Sequence, residues 1–270
     1  MKLSLAVTPA PTVFAPLLYA GDLMRGLRRA AELGYDGVEL NLRDPAAENL
    51  ELIVSAAQAY GLAIVSLGTG QAYLVDGLSV AASDPEVRTR LIERIKRQID
   101  FAARTGAQVV LGGVRGRFEG DAAARRGQYE GALDVVRQLA DYAAPKRVTL
   151  TLEPINRYES NFINTVDDAL VFLRDAGRQS VKVLIDTFHM NIEEADMCAA
   201  IEQLGPRLSH VHLVDSNRCA PGMGHVDFRS IIAALRAIGY DGYLSGEFLP
   251  LPNDDFAAEK NIAYVRGLLA

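Results

Sequence analysis

Two hydrophobic patterns succeed one another eight times along this chain. Short, nearly continuous apolar runs are typical of buried parallel strands, and each precedes a longer segment with apolar positions at helical spacing. In the first of these longer segments, Leu23, Leu27 and Ala30 lie on one side, and Gly34 stands where glycine commonly ends a helix. The predicted strands are residues 2–8, 37–42, 63–68, 108–114, 148–154, 181–186, 208–215 and 243–248, and the predicted helices are residues 22–34, 49–61, 84–106, 121–144, 165–177, 193–205, 227–239 and 256–270.

Because each strand precedes a helix, the pattern favours an α/β protein with a single (β/α)8 TIM barrel. An open eight-stranded sheet would give much the same pattern. The length of 270 residues suits one barrel, and no linker interrupts the rhythm. We therefore predict one catalytic domain over residues 1–270.

Composition limits which binding partners and which cellular compartment we expect. A net charge of −6 argues against a large phosphate-binding surface, so we expect no nucleic-acid partner. We expect no membrane span either, because no apolar stretch approaches the roughly 20 residues that crossing a bilayer requires. Cys198 and Cys219 are too few to cross-link so long a chain. These features predict a cytoplasmic protein.

Four residues with metal-binding side chains stand at the ends of four predicted strands. Successive members of the set are 33, 26 and 35 residues apart, each about one strand plus one helix; the four are Glu153, Asp186, His212 and Glu247. The longest irregular segments, residues 66–79, 153–164 and 215–225, follow strand ends too. Taken singly, a carboxylate here could cap a helix and a histidine could be a structural partner. Three converging carboxylates, however, need a cation or bound protons, so we predict one metal site.

The donor set indicates which ion and which chemistry to expect. Three oxygen ligands with one nitrogen suit Mn²⁺ or Mg²⁺, with Co²⁺ tolerable, better than they suit structural zinc. The glycine-rich segments lack nucleotide-binding patterns, so no nucleotide cofactor is expected. A divalent ion would stabilise the enediolate formed when a carbon beside a ketone loses its proton. Glu153 and Glu247, from the fifth and eighth strands, are the predicted acid and base, and their approach from opposite faces would invert a stereocentre.

Five motifs resemble one known family over essentially the whole chain. EPINRYESNFINT, DTFHMNIEE, HLVDSNR, GHVDF and GEF are similar to the ketose 3-epimerases of the D-tagatose 3-epimerase and D-psicose 3-epimerase group, within the xylose-isomerase-like barrels. GTGQAYLVDG, GGVRGR and DSNRCAPGMGHVDF most resemble the 5-keto-L-gluconate epimerase subgroup. The resemblance implies a manganese or cobalt enzyme that inverts C3 of a free ketose or keto sugar acid through a metal-stabilised cis-enediolate. It also implies the same four metal ligands, and a homodimer or homotetramer.

The same resemblance implies that Glu159, His189 and Arg218 contact substrate oxygens. The imidazole of His189 could donate a hydrogen bond to a hydroxyl, and Arg218 could polarise a bound oxygen. From the residues alone, His189 could equally be a buried polar side chain, Arg218 could pair with Asp215, and Glu159 could be solvated.

A sharper hypothesis concerns Arg115 and Arg117 in GGVRGR, after the fourth strand. A guanidinium suits a terminal carboxylate, so Arg115 is predicted to recognise the acid end of a keto-hexonate. The alternative is pairing with loop acids or exposure to solvent. His225 and Asp227 suggest support for a metal-bound histidine, but Asp227 is more simply a helix N-cap, and both stay outside the predicted site.

The sequence also allows other functions. An aldose-ketose or hydroxypyruvate isomerase would use a similar site. A nuclease resembling endonuclease IV is less favoured, because four histidines and net negative charge suit a multinuclear DNA-cleaving centre poorly. A noncatalytic sugar-binding barrel would keep substrate contacts without exchanging a proton. A glycosidase would also use two carboxylates, but not around a shared ion.

Overall fold

The computed structural model describes residues 1–12 and 16–270, and its centre is a closed barrel of parallel strands. The strands follow one another in chain order around the barrel, and the last pairs with the first. They are β1 (Lys2–Val7), β2 (Gly37–Asn41), β3 (Ala63–Gly68), β4 (Gln108–Leu111), β5 (Leu150–Leu152), β6 (Lys182–Asp186), β7 (Leu208–His212) and β8 (Tyr243–Gly246). The predicted TIM barrel is confirmed and the open sheet is excluded. That residues 1–270 act as one catalytic domain stays a prediction.

Helices surround this barrel. They are α1 (Leu23–Leu33), α2 (Leu50–Ala59), α3 (Gly70–Leu74), α4 (Pro85–Thr105), α5 (Ala122–Ala143), α6 (Val166–Ala176), α7 (Thr187–Glu193), α8 (Met197–Leu204), α9 (Phe228–Ala237) and α10 (Asp254–Leu269). Four single 3-10 turns, at Pro45–Ala47, Gly113–Arg115, Ala144–Lys146 and Gly205–Arg207, complete the regular structure of the described residues. Across residues 1–12 and 16–270, no helix is both long and apolar enough to pass through a membrane.

Local sequence explains where the main helices begin and end. Asp22 caps α1 through the backbone N–H of Arg25, and Gly34 ends that helix with a φ of 85°, in the left-handed region that favours glycine. Thr165 and Asp168 form a reciprocal capping box at the start of α6. Asp227 is the N-cap of α9, as predicted.

Two short helices were not predicted. The sequence pattern predicts one helix over residues 193–205, but the chain forms α7 directly after β6 and then α8, with a break between them. Aspartates start both helices: Asp186 caps α7, and Asp196 caps α8 through the N–H groups of Cys198 and Ala199. The other unpredicted helix, α3, follows β3. The two unpredicted helices, α3 and α7, both lie on the rim where strands end, and α7 carries His189.

The core has two layers with different chemistry. Between strands and helices it is apolar, with fully buried side chains such as Leu27, Leu67 and Phe172. Inside the barrel, a ring of polar side chains is also fully buried: Ser4, Glu39, Ser66, His210 and Ser245. A buried polar group is costly unless it is hydrogen-bonded, so a polar barrel interior indicates a functional rather than a purely structural centre.

Candidate active site

The structure brings the four predicted metal-binding residues together at the carboxyl ends of four strands. Asp186 and His212 are the last residues of β6 and β7, and Glu153 and Glu247 directly follow β5 and β8. Each offers one ligand atom, and these atoms all lie within 4.8 Å of one another. His212 is central: its Nδ1 lies 3.6 Å from Glu153 Oε1, 3.6 Å from Asp186 Oδ2 and 3.5 Å from Glu247 Oε2. We call these four residues the quartet.

The electrostatics of the quartet fit a bound cation. Burial raises the pKa of Glu247 well above its usual value; the charge of His212 opposes this rise, and the charges of Glu153, Glu39 and Asp186 add to it. Asp186 Oδ2 and His212 Nδ1 are buried and have no hydrogen-bond partner among the described residues. Acceptors held this close repel one another unless positive charge lies between them. The donor chemistry therefore suits a divalent metal ion.

The two carboxylate oxygens of Asp186 make different contacts. Oδ1 accepts a hydrogen bond from the backbone N–H of Phe188 at 2.7 Å and so caps α7. Oδ2 is left facing His212. The cap holds the carboxylate in one orientation, because rotating it would leave the first turn of α7 without a partner.

Close contact with the backbone fixes the position of Glu153. A Cβ atom placed on Gly112 would lie 2.2 Å from Glu153 Oε2, so only glycine leaves room for this carboxylate. Gly112 follows β4, the neighbour of β5 in the barrel. Gly112, the first glycine of GGVRGR, thus shapes the quartet, a role that was not predicted.

Glu39 was not predicted, yet it supports the quartet from inside the barrel. Glu39 Oε2 lies 3.1 Å from His212 Nε2 and 3.0 Å from His210 Nε2. The Ser66 hydroxyl donates to the same oxygen at 2.6 Å. These partners come from β2, β3 and β7, far apart in sequence, and only the alternation of side chains along each strand could have hinted that they face inward.

The three predicted substrate-contact residues form a connected row beside the quartet. Arg218 donates a hydrogen bond to Glu159 at 2.8 Å. Asn156 links Glu159 to His189, because its Nδ2 donates to Glu159 at 3.0 Å and to His189 Nδ1 at 2.8 Å. The guanidinium of Arg218 also lies 4.9 Å from the ring centre of Phe188. Arg218 therefore pairs with Glu159 and not with Asp215, whose carboxylate accepts backbone N–H groups of its own loop. Asn156 was not predicted.

Arg115 occupies a different environment from the one expected of a free anion receptor. Only 1% of the residue is exposed, and its Nη1 donates to the backbone carbonyl of Phe162 and, at 2.6 Å, to that of Ile163. Burial lowers the pKa of Arg115 to about 10, and the charge of Glu153 is the largest opposing influence. Arg115 thus supports the segment after β5 that carries Asn156 and Glu159. Its recognition of a substrate carboxylate stays a prediction.

The residues left outside the predicted site lie in the loop before α9. His225 Nδ1 is 2.9 Å from the Ser216 hydroxyl, and Asp227 bonds to the start of α9. Neither belongs to the clusters of potential metal-binding residues found among the described residues, which are the quartet and the group of Glu39, His210 and His212.

Comparison with known proteins agrees with this geometry. The sequence profile described as "Xylose isomerase-like TIM barrel" matches residues 27–268. An L-ribulose 3-epimerase from Methylomonas sp. (strain DH-1) is 34% identical over 240 residues, covering 86% of this chain and 82% of the relative. A ketose 3-epimerase from Arthrobacter globiformis is 35% identical over 228 residues, covering 83% of this chain and 76% of the relative.

A solved structure extends the likeness to three dimensions. The crystal structure of D-allulose 3-epimerase from Methylomonas sp. in complex with D-allulose superposes with a TM-score of 0.82 at 29% identity, covering 98% of this chain and 97% of that one. The resemblance to ketose 3-epimerases that the motifs predicted is confirmed by these relatives.

Proposed function

This chain belongs to the xylose isomerase-like TIM barrel family, and we propose that it is a metal-dependent carbohydrate epimerase that inverts C3 of a free ketose or keto sugar acid. One observation carries the proposal: three carboxylates and an imidazole from four different strands converge to within 4.8 Å at the end of the barrel where such folds carry their active sites.

The quartet would hold one divalent ion, with Mn²⁺ favoured and Co²⁺ or Mg²⁺ as alternatives. When bound, the ion would supply the positive charge that stabilises an enediolate. Oxygen donors dominate the set, as these ions prefer, and the buried, unpartnered Asp186 Oδ2 and His212 Nδ1 supply ligand atoms.

Glu153 and Glu247 would be the acid and base. They follow β5 and β8, and one oxygen of each carboxylate lies close to His212 Nδ1, at 3.6 Å for Glu153 and 3.5 Å for Glu247. One would take the C3 proton, and the other would return a proton to the opposite face of the carbon.

The row of Asn156, Glu159, His189 and Arg218 would orient the sugar. His189 is buried and Arg218 is only partly exposed, so their remaining donors would face hydroxyl or carbonyl oxygens rather than bulk water. The names of the relatives support a ketose as substrate, since they act on L-ribulose, on ketoses and on D-allulose. An isomerase that moves the carbonyl between C1 and C2 is the alternative that this site could also serve.

Label exchange tests the function. Manganese-loaded protein would be incubated in heavy water with D-tagatose, D-fructose, L-ribulose and 5-keto-L-gluconate, and products would be analysed for stereochemistry and deuterium position. We expect inversion at C3 with deuterium at C3 in the product. Label at C1 or C2 would indicate an isomerase, and turnover that keeps every C3 proton would contradict the mechanism.

Substitutions test whether Glu153 and Glu247 carry out that exchange. Glu153→Gln and Glu247→Gln should each nearly abolish C3 exchange, because each change removes a ligand and a proton carrier together. Glu259→Gln is the matched control: Glu259 is half-exposed on α10, where it pairs with Arg29. We expect this control to exchange at the wild-type rate.

Three further features belong to the same proposal. Mn²⁺ is the proposed physiological ion, the assembly is a homodimer or homotetramer, and the protein works in the cytoplasm on a small sugar or sugar acid. Metal analysis of purified protein and light scattering would test the first two.

A further inference from the structure

We propose that Glu39 is a positioning residue that fixes the ring orientation of His212 and presents its Nδ1 to the metal ion. The inference rests on the proposed metal site and adds a residue that lies outside the quartet. Glu39 sits on β2, across the barrel from β7, and is fully buried.

Hydrogen-bond chemistry decides the direction of the contact. An ionised carboxylate only accepts, so the 3.1 Å contact between Glu39 Oε2 and His212 Nε2 requires the proton on Nε2. A neutral imidazole with its proton on Nε2 carries a lone pair on Nδ1. Nδ1 is the atom that faces Glu153, Asp186 and Glu247. Glu39 thereby selects the tautomer that can bind a metal ion.

Neighbouring donors hold the Glu39 carboxylate in place. Ser66 donates to Oε2 at 2.6 Å, and His210 Nε2 lies 3.0 Å from the same oxygen. His210 and His212 are two residues apart on one strand, so both rings point into the barrel. The Ser66 hydroxyl and two imidazole nitrogens therefore converge on one oxygen of Glu39, an arrangement that fits an ionised carboxylate accepting all three hydrogen bonds.

A carboxylate in this position would act on the metal through His212. It restricts rotation of the imidazole and makes the opposite nitrogen a stronger donor. Removing such a partner typically weakens metal affinity about 10- to 100-fold. A glutamine at position 39 would keep the shape, but its amide has one acceptor oxygen and brings an N–H₂ group against donors.

The experiment measures metal binding directly. Metal-free wild type and Glu39→Gln would be titrated with Mn²⁺ by calorimetry, and Co²⁺-loaded samples would be compared by visible absorption, which reports ligand geometry. We expect one Mn²⁺ per wild-type chain, a Kd in the variant weaker by about 10- to 100-fold, and an altered Co²⁺ spectrum.

Two serines provide a matched pair if Glu39→Gln fails to fold. Ser66→Ala and Ser4→Ala make the same change inside the same barrel, but only Ser66 donates to Glu39. Ser66→Ala should weaken Mn²⁺ binding several-fold and shift the Co²⁺ spectrum, whereas Ser4→Ala should leave both as in wild type.

The outcomes separate this inference from the function on which it rests. Failure of the wild type to bind Mn²⁺ or Co²⁺ would overturn the metal site itself. A wild type that binds, together with a folded Glu39→Gln that binds equally well and gives the same spectrum, would overturn only the role of Glu39. Equal effects of the two serine substitutions would do the same.

Discussion

Asn156 fixes the tautomer of His189. The Asn156 Oδ1 accepts the backbone N–H of Tyr158 at 3.0 Å, so its Nδ2 is the atom that faces His189 Nδ1 at 2.8 Å. Because an amide nitrogen only donates, His189 Nδ1 must accept, and the ring proton lies on Nε2. Burial lowers the pKa of His189, which keeps the ring neutral. Its Nε2–H is therefore a fixed donor, which in the proposed function would bond a substrate oxygen.

Reversing that hydrogen bond should impair catalysis without removing the metal. In Asn156→Asp the carboxylate accepts, which moves the His189 proton to Nδ1 and turns Nε2 into an acceptor. We expect kcat/KM to fall about 10- to 100-fold, the range for losing a hydrogen bond of this kind, with an unchanged Kd for Mn²⁺. Steady-state kinetics and calorimetry measure the two quantities.

Asn161→Asp is the control for that change. Asn161 lies in the same segment after β5 and bonds the backbone of Phe118 at the protein surface. Its kinetics should stay close to wild type. If the two aspartate variants lose activity equally, the effect comes from added charge and not from the His189 tautomer.

A methyl group at residue 112 should displace Glu153. The Cβ of Gly112→Ala would lie 2.2 Å from Glu153 Oε2, so the carboxylate or the strand end must move. We expect Mn²⁺ affinity to drop by about tenfold or more, since misplacing a ligand costs as much as losing its support. Gly127→Ala in α5 meets nothing within 4 Å. That control should bind Mn²⁺ normally and gain about 0.5–1 kcal/mol in free energy of unfolding.

The predicted role of Arg115 can be tested by comparing substrates. If Arg115 recognises a carboxylate, Arg115→Ala should raise KM for 5-keto-L-gluconate about tenfold and KM for D-tagatose much less. Arg117→Ala, at an exposed position two residues later, should change neither. Equal increases for both substrates, with a lower melting temperature, would instead assign Arg115 to supporting the carbonyls of Phe162 and Ile163.

An ion pair beside the active-site rim should make stability depend on acid pH. Hydrogen bonds from Arg43 lower the pKa of Asp76 to about 2, with burial opposing and Arg94 adding to the shift. Arg94 Nη1 lies 2.9 Å from Asp76 Oδ2. A carboxyl pKa that is lower in the folded protein gives stability that is complete above the unfolded value of 3.8 and is lost as pH falls towards about 2.

Asp76→Asn should therefore lower the free energy of unfolding by about 1 kcal/mol near neutral pH, allowing for solvent screening, and progressively less below pH 4. Urea unfolding of wild type and Asp76→Asn across that pH range measures this difference in free energy of unfolding. Asp134→Asn is the control, because Asp134 is largely exposed and pairs only within α5. A constant difference between wild type and Asp76→Asn at every pH would contradict the electrostatic explanation.

The sequence by itself determined the eightfold succession of strands and helices and the members of the quartet, whereas closure of the sheet into a barrel came from the structure. Strand and helix periodicities are local properties of the chain, and residues at successive strand ends must share one rim once the sheet is parallel and closed. Glu153, Asp186, His212 and Glu247 could therefore be identified before any coordinates were known.

Tertiary structure decided the interactions across the barrel. Glu39 and His212 lie on β2 and β7, 173 residues apart, and nothing local indicates that one orients the other. Asn156 and Gly112 matter because of what they contact, which depends on how loops and strand ends fold over one another. Arg115 shows the same limit: its place in the sequence suggests a substrate contact, while burial directs its guanidinium to backbone carbonyls. The succession of strands and helices along the chain follows from periodicity, but side-chain contacts between distant strands follow only from packing.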